Sequence, residues 1–460
     1  MVSYAKVGKL PELEAKGWAG HFTSMRKDPL GTMEQAAAMG DIVRLRFGPI
    51  YAYGVFHPAH AQHVLVQNVH NYEKQTRGYA KLRLLLGNGL VTSEGDFWKR
   101  QRRIAQPAFH RERIAGFVET MAKATDDLAK RWTQAAGPSG LHTNVSEDMM
   151  KLTLRIAGET LCSLDISKDA DRLGGSLKHV LEHFHWLTNA PFPFPEYMPT
   201  LGNLRFWRSM RNIEAVIVRI IEERRRSPKV FHDLLSMYME AVDEETGEKM
   251  NDRQLIDEAK TVLGAGYETT AVGLSWTLYI LSQHPQVAER LAEEATSVLG
   301  DRLPTPEDVP KLVYASQVFR EAMRLYPPVW AFARRAKEDD VIGGFDIPKG
   351  SIVFVGIRNI HRHADYWEHP LTFDPERFSP EQVEARRKLP SGRLAFMPFI
   401  AGQRKCIGDH FALTEGAIVL AMLGQRFRFE RVPGAGEIIP EPRLSLRPKD
   451  SRMPMLIRTR

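Results

Sequence analysis

The chain has 460 residues, 43% of them apolar and 26% charged, which is ordinary for a globular protein and long enough to bury a large core around a cofactor. Only two cysteines occur, Cys162 and Cys406; the count excludes a disulfide scaffold and a zinc site built from several thiolates, and it suits a reducing compartment. The formal charge of +7 is spread along the chain instead of gathering in one tail, so it reads as a solvated surface with a modest cationic excess, and no nucleic-acid partner is expected.

From the N-terminus onward, Met1–Leu10 lacks the apolar core of a signal peptide. The longest apolar run, Ala417–Leu423, is far short of the ~20 residues that cross a bilayer. The expectation is a soluble, cytoplasmic protein with no membrane anchor. Asp41–Val55 alternates apolar and polar residues around Gly48-Pro49 and predicts a β-hairpin. Leu84–Leu90 is a second apolar stretch. After Gly95 a helical pattern places Trp98 and Arg102 on one face, and helical patterns then dominate to about Gln425. Cys162, inside LTLRIAGETLCSL, reads as a buried small hydrophobe. The loop Asn189–Pro199 is too proline-rich for a helix and carries Phe192 and Phe194, either as a packed connector or as a lid. Asn251–Gln283 predicts one long central helix ending before His284-Pro285. On it Val262, Ala265, Gly266, Thr269 and Gly273 recur at helical spacing as a face of small residues, suited to a flat cofactor or to a tight helix contact. Glu321 and Arg324, three apart, share a helix face. Ala331–Val355 turns to short strands with Gly343-Gly344 and Pro348-Lys349-Gly350 as turns. His361, His363 and His369 follow in an irregular segment and read as surface or structural histidines. The architecture expected is mainly α with a small β-rich portion, a single domain over 1–460.

The sharpest signal comes late, in Phe399-Ile400-Ala401-Gly402-Gln403-Arg404-Lys405-Cys406-Ile407-Gly408. A glycine-containing loop brings one cysteine to the start of an apolar helix running from about Gly408 to Leu423. The helix N-terminus, Arg404 and Lys405 all favour a thiolate. Gly402 and Gly408 leave room for a flat ligand to approach the backbone.

This spacing resembles the haem-binding loop of the cytochrome P-450 family, F-x-x-G-x-x-x-C-x-G, with Phe399, Gly402, Cys406 and Gly408 at the four fixed positions. The resemblance implies the cytochrome P-450 fold, with haem b (iron protoporphyrin IX) between the long central helix and the cysteine loop. It makes Cys406 the metal ligand, packs Phe399 against the sulfur and pairs Arg404 with a haem propionate. Trp98 and Arg102 resemble the family's propionate pair, and Arg335 is a third partner whose assignment can slip to Arg334. Gly264-Ala265-Gly266-Tyr267-Glu268-Thr269-Thr270 is similar to the oxygen-activation motif, with Thr269 as the hydroxyl that holds dioxygen and Glu268 as the proton source. Glu321, Arg324 and Arg377 of Pro375-Glu376-Arg377-Phe378 would form a buried charge network. Val329, Trp330, Phe332, Val262 and Leu86 would line the site of a lipophilic substrate, a fatty acid, terpenoid or polyketide. The implied reaction is monooxygenation with O2. Electrons would come from NAD(P)H through a ferredoxin or flavodoxin-type donor and its reductase, docking on Lys99, Arg100, Arg103, Arg111 and Arg113. The rival readings are a peroxygenase using hydrogen peroxide and a non-catalytic haem carrier or sensor.

Overall fold

The computed structural model describes residues 9–15, 17–162, 166–189, 195–227 and 233–460; the side chains of 161–172 and 189 fall outside that description. The side chain of Cys162 and the Phe192–Phe194 stretch therefore lie outside the described residues. The chain divides into two compact units: Met1–Ala80, Thr188–Phe192 and Met323–Cys406 in the first, and Lys81–Leu187, Pro193–Ala322 and Ile407–Arg460 in the second.

The first unit is built on a five-stranded sheet. The expected hairpin is present, with Ile42–Phe47 antiparallel to Ile50–Val55 in the register Ile42↔Val55 and Gly48 at φ +58° making the turn. Ile50–Val55 then pairs in parallel with Ile352–Val355, which is flanked by Phe332–Ala336 and, beyond it, Tyr72–Glu73. Gly343, Gly344 and Gly350 take positive φ at the predicted turns, where a Cβ would be strained. Ile42, Tyr53, Val55, Ile342, Val353 and Val355 make the core on one face of this sheet.

The second unit is helical. Its axis is the helix Asp252–Leu281, capped by a box in which Asn251 and Gln254 exchange side-chain and backbone hydrogen bonds. The next helix, Pro285–Leu299, starts with proline where that residue's missing N–H costs nothing. The central helix packs along Val145–Cys162, where the Thr153 hydroxyl donates to the Tyr267 carbonyl at 2.8 Å. A three-stranded sheet, Leu141–Asn144, Pro454–Thr459 and Phe427–Arg431, closes one end. The helix after the cysteine loop runs Asp409–Arg426, and the E-x-x-R helix Val313–Leu325. No helix among the described residues is long and apolar enough to cross a membrane.

Candidate functional site

In the first unit the cysteine loop is held by its own backbone. The Ile400 N–H donates to the Met397 carbonyl, Lys405 N–H to Gly402, and Cys406 N–H to Phe399 at 2.8 Å. Ile400 sits at φ +60°, a conformation that costs a β-branched residue of order 1–3 kcal/mol, so the surrounding contacts must hold it there. Cys406 ends the loop exposed, with Phe399 and Arg404 half-buried beside it. Gly402 sits at φ +71°. A Cβ there would lie 2.0 Å from the Leu65 carbonyl oxygen, so the glycine lets the loop press onto the 63–67 turn. His361, fully buried, accepts from the Met397 N–H through Nε2 at 2.9 Å and so pins the start of the loop; burial and Arg324 push its pKa down to about 3, which keeps it neutral.

Two arginines of this unit are buried in different ways. Arg324 donates to the carbonyls of His361, Pro370 and Thr372 at 3.1, 2.6 and 3.1 Å and lies over the Trp367 ring. Arg377 donates to the His369 carbonyl, in the same turn. Arg324 is fully buried and Arg377 half-buried; Glu321, of the second unit, is fully buried too. Arg334 is 3% exposed, stacks on Phe332 and, among the described residues, bonds neutral oxygens, Tyr79 Oη at 3.0 Å and the Ala333 carbonyl at 2.9 Å. Arg335, the residue first assigned to the propionate, is exposed: alternation along the strand turns Phe332, Arg334 and Ala336 inward and Arg335 outward. Lys74 is buried against the same Tyr79 ring. Lys74 and Tyr79 carry no sequence signal of their own. Of the substrate residues proposed here, Val329 and Phe332 pack in the sheet core, whereas Trp330 packs against the Met33, Val43, Leu45 and Phe56 cluster.

In the second unit every residue from Asp257 to Leu281 is buried except Val262, Gly264, Ala265, Gly266 and Thr269. The predicted small-residue face is thus the one accessible strip of an otherwise enclosed helix; Gly273 alone lies beyond it, buried. The Thr269 hydroxyl donates to the Ala265 carbonyl at 2.7 Å, which leaves its oxygen as an acceptor. Leu86 lies against the strip, its Cδ2 at 3.4 Å from where a Cβ on Gly264 would be. Glu268 does not share the strip. Its carboxylate is 2% exposed and accepts from Arg447 Nη2 at 2.5 Å and Ser445 Oγ at 2.6 Å. One residue step is 100° around the helix, which turns Glu268 into the core while Thr269 faces out. Trp98 is buried and Arg102 half-buried, one turn apart on the helix Gly95–Ala105.

The expected basic dock is internally neutralised in part. Arg103 pairs with Asp243 and Glu245, Arg100 with Glu248, and Lys99 with Asp96. His363 belongs to a cluster the sequence did not reveal: its Nε2 lies 3.1 Å from Asp41 Oδ1, with His57 packed edge-on. Each imidazole Nδ1 accepts from a backbone N–H, that of Ala59 for His57 and of Asp365 for His363. A neutral ring so bonded keeps its proton on Nε2, the atom a metal would need, so the cluster is a staple between loops.

Residues 12–455 match the protein family described as Cytochrome P450. The chain is 36% identical over 437 residues to cyclooctatin synthase of Streptomyces melanosporofaciens, covering 95% of this chain and 93% of the relative. Cyclooctat-9-en-7-ol 5-monooxygenase of the same organism is 36% identical over 416 residues (90% and 88% covered), and pentalenene oxygenase of Streptomyces avermitilis 33% over 417 (90% of each).

Proposed function

Because the chain belongs to the cytochrome P450 family of monooxygenases, we propose that it oxidises a cyclic terpenoid, with Cys406 as the thiolate ligand of haem b. The terpenoid substrate rests on what the relatives' names say they act on. Among the three substrate classes that the sequence leaves open, it is the one those names favour. The match over 12–455 runs through both units, which supports one catalytic domain.

The residues fit the group. A buried guanidinium without a counter-charge is costly, and Arg334 bonds only neutral oxygens, so an anionic propionate is its natural partner. The assignment therefore moves from Arg335 to Arg334, with Lys74, Arg404, Trp98 and Arg102 in supporting roles. Bound haem supplies activation of dioxygen, which the electron-rich thiolate favours. The accessible strip of the central helix carries the reading furthest. Val262, Ala265, Gly266 and Leu86 offer an apolar surface that excludes water and orients a hydrocarbon. Thr269 Oγ, its own proton committed to Ala265, accepts from a water, and that water presents the proton. Glu268, turned into the core and bonded to Arg447 and Ser445, does not face the strip, so the proton enters from solvent along the strip. Electrons from NAD(P)H through a ferredoxin or flavodoxin-type donor, and a cytoplasmic location, belong to the same proposal.

The test is turnover of cyclic sesquiterpene and diterpene olefins and alcohols by the haem-loaded protein, with redox partners and with hydrogen peroxide alone. Oxygenated product that requires NAD(P)H and partners is expected; product with peroxide alone would make it a peroxygenase. In Cys406→His the thiolate-type band of the reduced carbonyl complex disappears, and its retention would remove Cys406 as ligand.

A further inference from the structure

The segment Leu86–Leu90, whose Leu86 lies against the accessible strip, is tied to the central helix by two adjacent acids. The Asn88 N–H donates to Asp257 Oδ2 at 2.9 Å and the Leu90 N–H to Glu258 Oε2 at 3.1 Å. The approach is close enough to forbid side chains. A Cβ on Gly87 (φ +63°) would lie 2.1 Å from Asp257 Oδ1, and one on Gly89 2.1 Å from Thr261 Oγ1 and 2.8 Å from the Asp257 carbonyl. The two acids are held differently. Asp257 also faces Lys260 at 3.0 Å and Arg253 at 3.2 Å, and Lys260 pairs with Glu214 at 2.7 Å. Glu258 is 1% exposed, and among the described residues neither its Oε1 nor the buried Thr261 hydroxyl beside Gly89 has a hydrogen-bond partner. The segment itself brings no titratable group between Leu84 and Thr92. On the helix, Glu258 shares the face of Val262, Ala265 and Thr269, at spacings of four, seven and eleven residues, and sits ~16 Å before Thr269.

We propose that Asp257 and Glu258 form a latch that positions the Leu86–Leu90 wall on the central helix and so decides which substrate carbon comes to the Thr269 face. Asp257, charge-compensated, is the permanent half. Glu258 is the half that releases, because opening the segment returns an under-bonded carboxyl to water. Burial, with the charge of Asp257 adding to it and the Leu90 bond opposing, raises the Glu258 carboxyl to about 7. The protonated acid therefore favours the closed segment. That contribution is complete below 4.5, the carboxyl's ordinary value, and is lost as pH rises through about 7.

The proposal rests on the monooxygenase reading for its substrate consequence, but its first test needs no substrate. Amide hydrogen exchange at Leu90 in the haem-loaded protein, corrected for intrinsic rates, should speed by about tenfold between pH 6 and 8, while Asn88, held by Asp257, changes less. Glu258→Gln, whose amide carbonyl still accepts from Leu90, should remove that pH dependence and keep the protection. Glu258→Ala and Gly89→Ala should lose protection by tenfold or more while helix amides beyond Thr269 stay protected. With a turned-over terpenoid, both should shift the ratio of regioisomeric products and raise KM more than they lower kcat; Glu258→Gln should restore the parent ratio. Parent-like exchange in Glu258→Ala, or exchange in the parent without the pH dependence, overturns the latch. A failed substrate screen with the exchange pattern intact overturns the terpenoid reading alone.

Discussion

Glu268 and Glu258 lie ten residues apart on one helix, and both are almost fully buried, yet their surroundings give them opposite characters. Glu268 is matched by a guanidinium and a hydroxyl from the 445–447 strand region. Glu258 has one backbone N–H and an oxygen with no partner. The first ties a distant segment to the helix through an ion pair; the second meets the Leu86–Leu90 segment through one backbone bond. Burial alone therefore does not tell a structural acid from a working one. The chemistry of the partners does: a guanidinium and a hydroxyl for Glu268, a backbone N–H for Glu258. The two buried arginines differ likewise: Arg324 donates to the carbonyls of His361, Pro370 and Thr372, and Arg334 to the Tyr79 hydroxyl and the Ala333 carbonyl.

The strongest way to break this comparison is to remove the partner of the fixed charge. Arg447→Ala leaves Glu268 charged and buried, and the expected cost is ~3–5 kcal/mol in denaturant unfolding of the haem-loaded protein. A loss below ~1 kcal/mol would mean that Glu268 is solvated and free to carry protons. Next is Arg334→Ala, expected to lower haem content at equal protein yield, whereas Arg335→Ala retains parent haem content because its side chain is in water. Equal haem loss in both would return the assignment to the strand as a whole. Thr269→Ala sharpens the difference between neighbours: product per NAD(P)H should fall by ~10-fold or more, with peroxide rising. Glu268→Gln should keep the Ser445 bond and much of the coupling; a Glu268→Gln variant as uncoupled as Thr269→Ala would make Glu268 the proton source after all. The smallest effect is expected for Thr270→Ala, whose buried hydroxyl lies 100° away from Thr269, and coupling there should match the parent.

Local pattern was enough for the elements themselves. Alternation around Gly48-Pro49 and the apolar run from Asn251 to Gln283 locate the hairpin and the central helix to within about two residues. The spacing from Phe399 to Gly408 marks the cysteine loop, because a backbone that must turn sharply and end on a sulfur needs glycines and a cysteine at set intervals. The choice of Arg334 over Arg335 was within reach of the sequence too, since Phe332, Arg334 and Ala336 form the alternate set of one short strand.

What only tertiary structure decided is the state of each charged group. Glu268 meets Arg447 across 179 residues, Glu258 meets Leu90 across 168, Arg103 meets Asp243 across 140 and His363 meets Asp41 across 322. Helical spacing tells which residues share a face, but not which faces are covered or by what. The sequence by itself determined the family, the helices and the candidate thiolate, because those follow from local backbone preference and fixed intervals. Partnership and burial, which turn an acid into a tether and much of a basic cluster into internal pairs, depend on the long-range approach of segments, and that approach has no local signature.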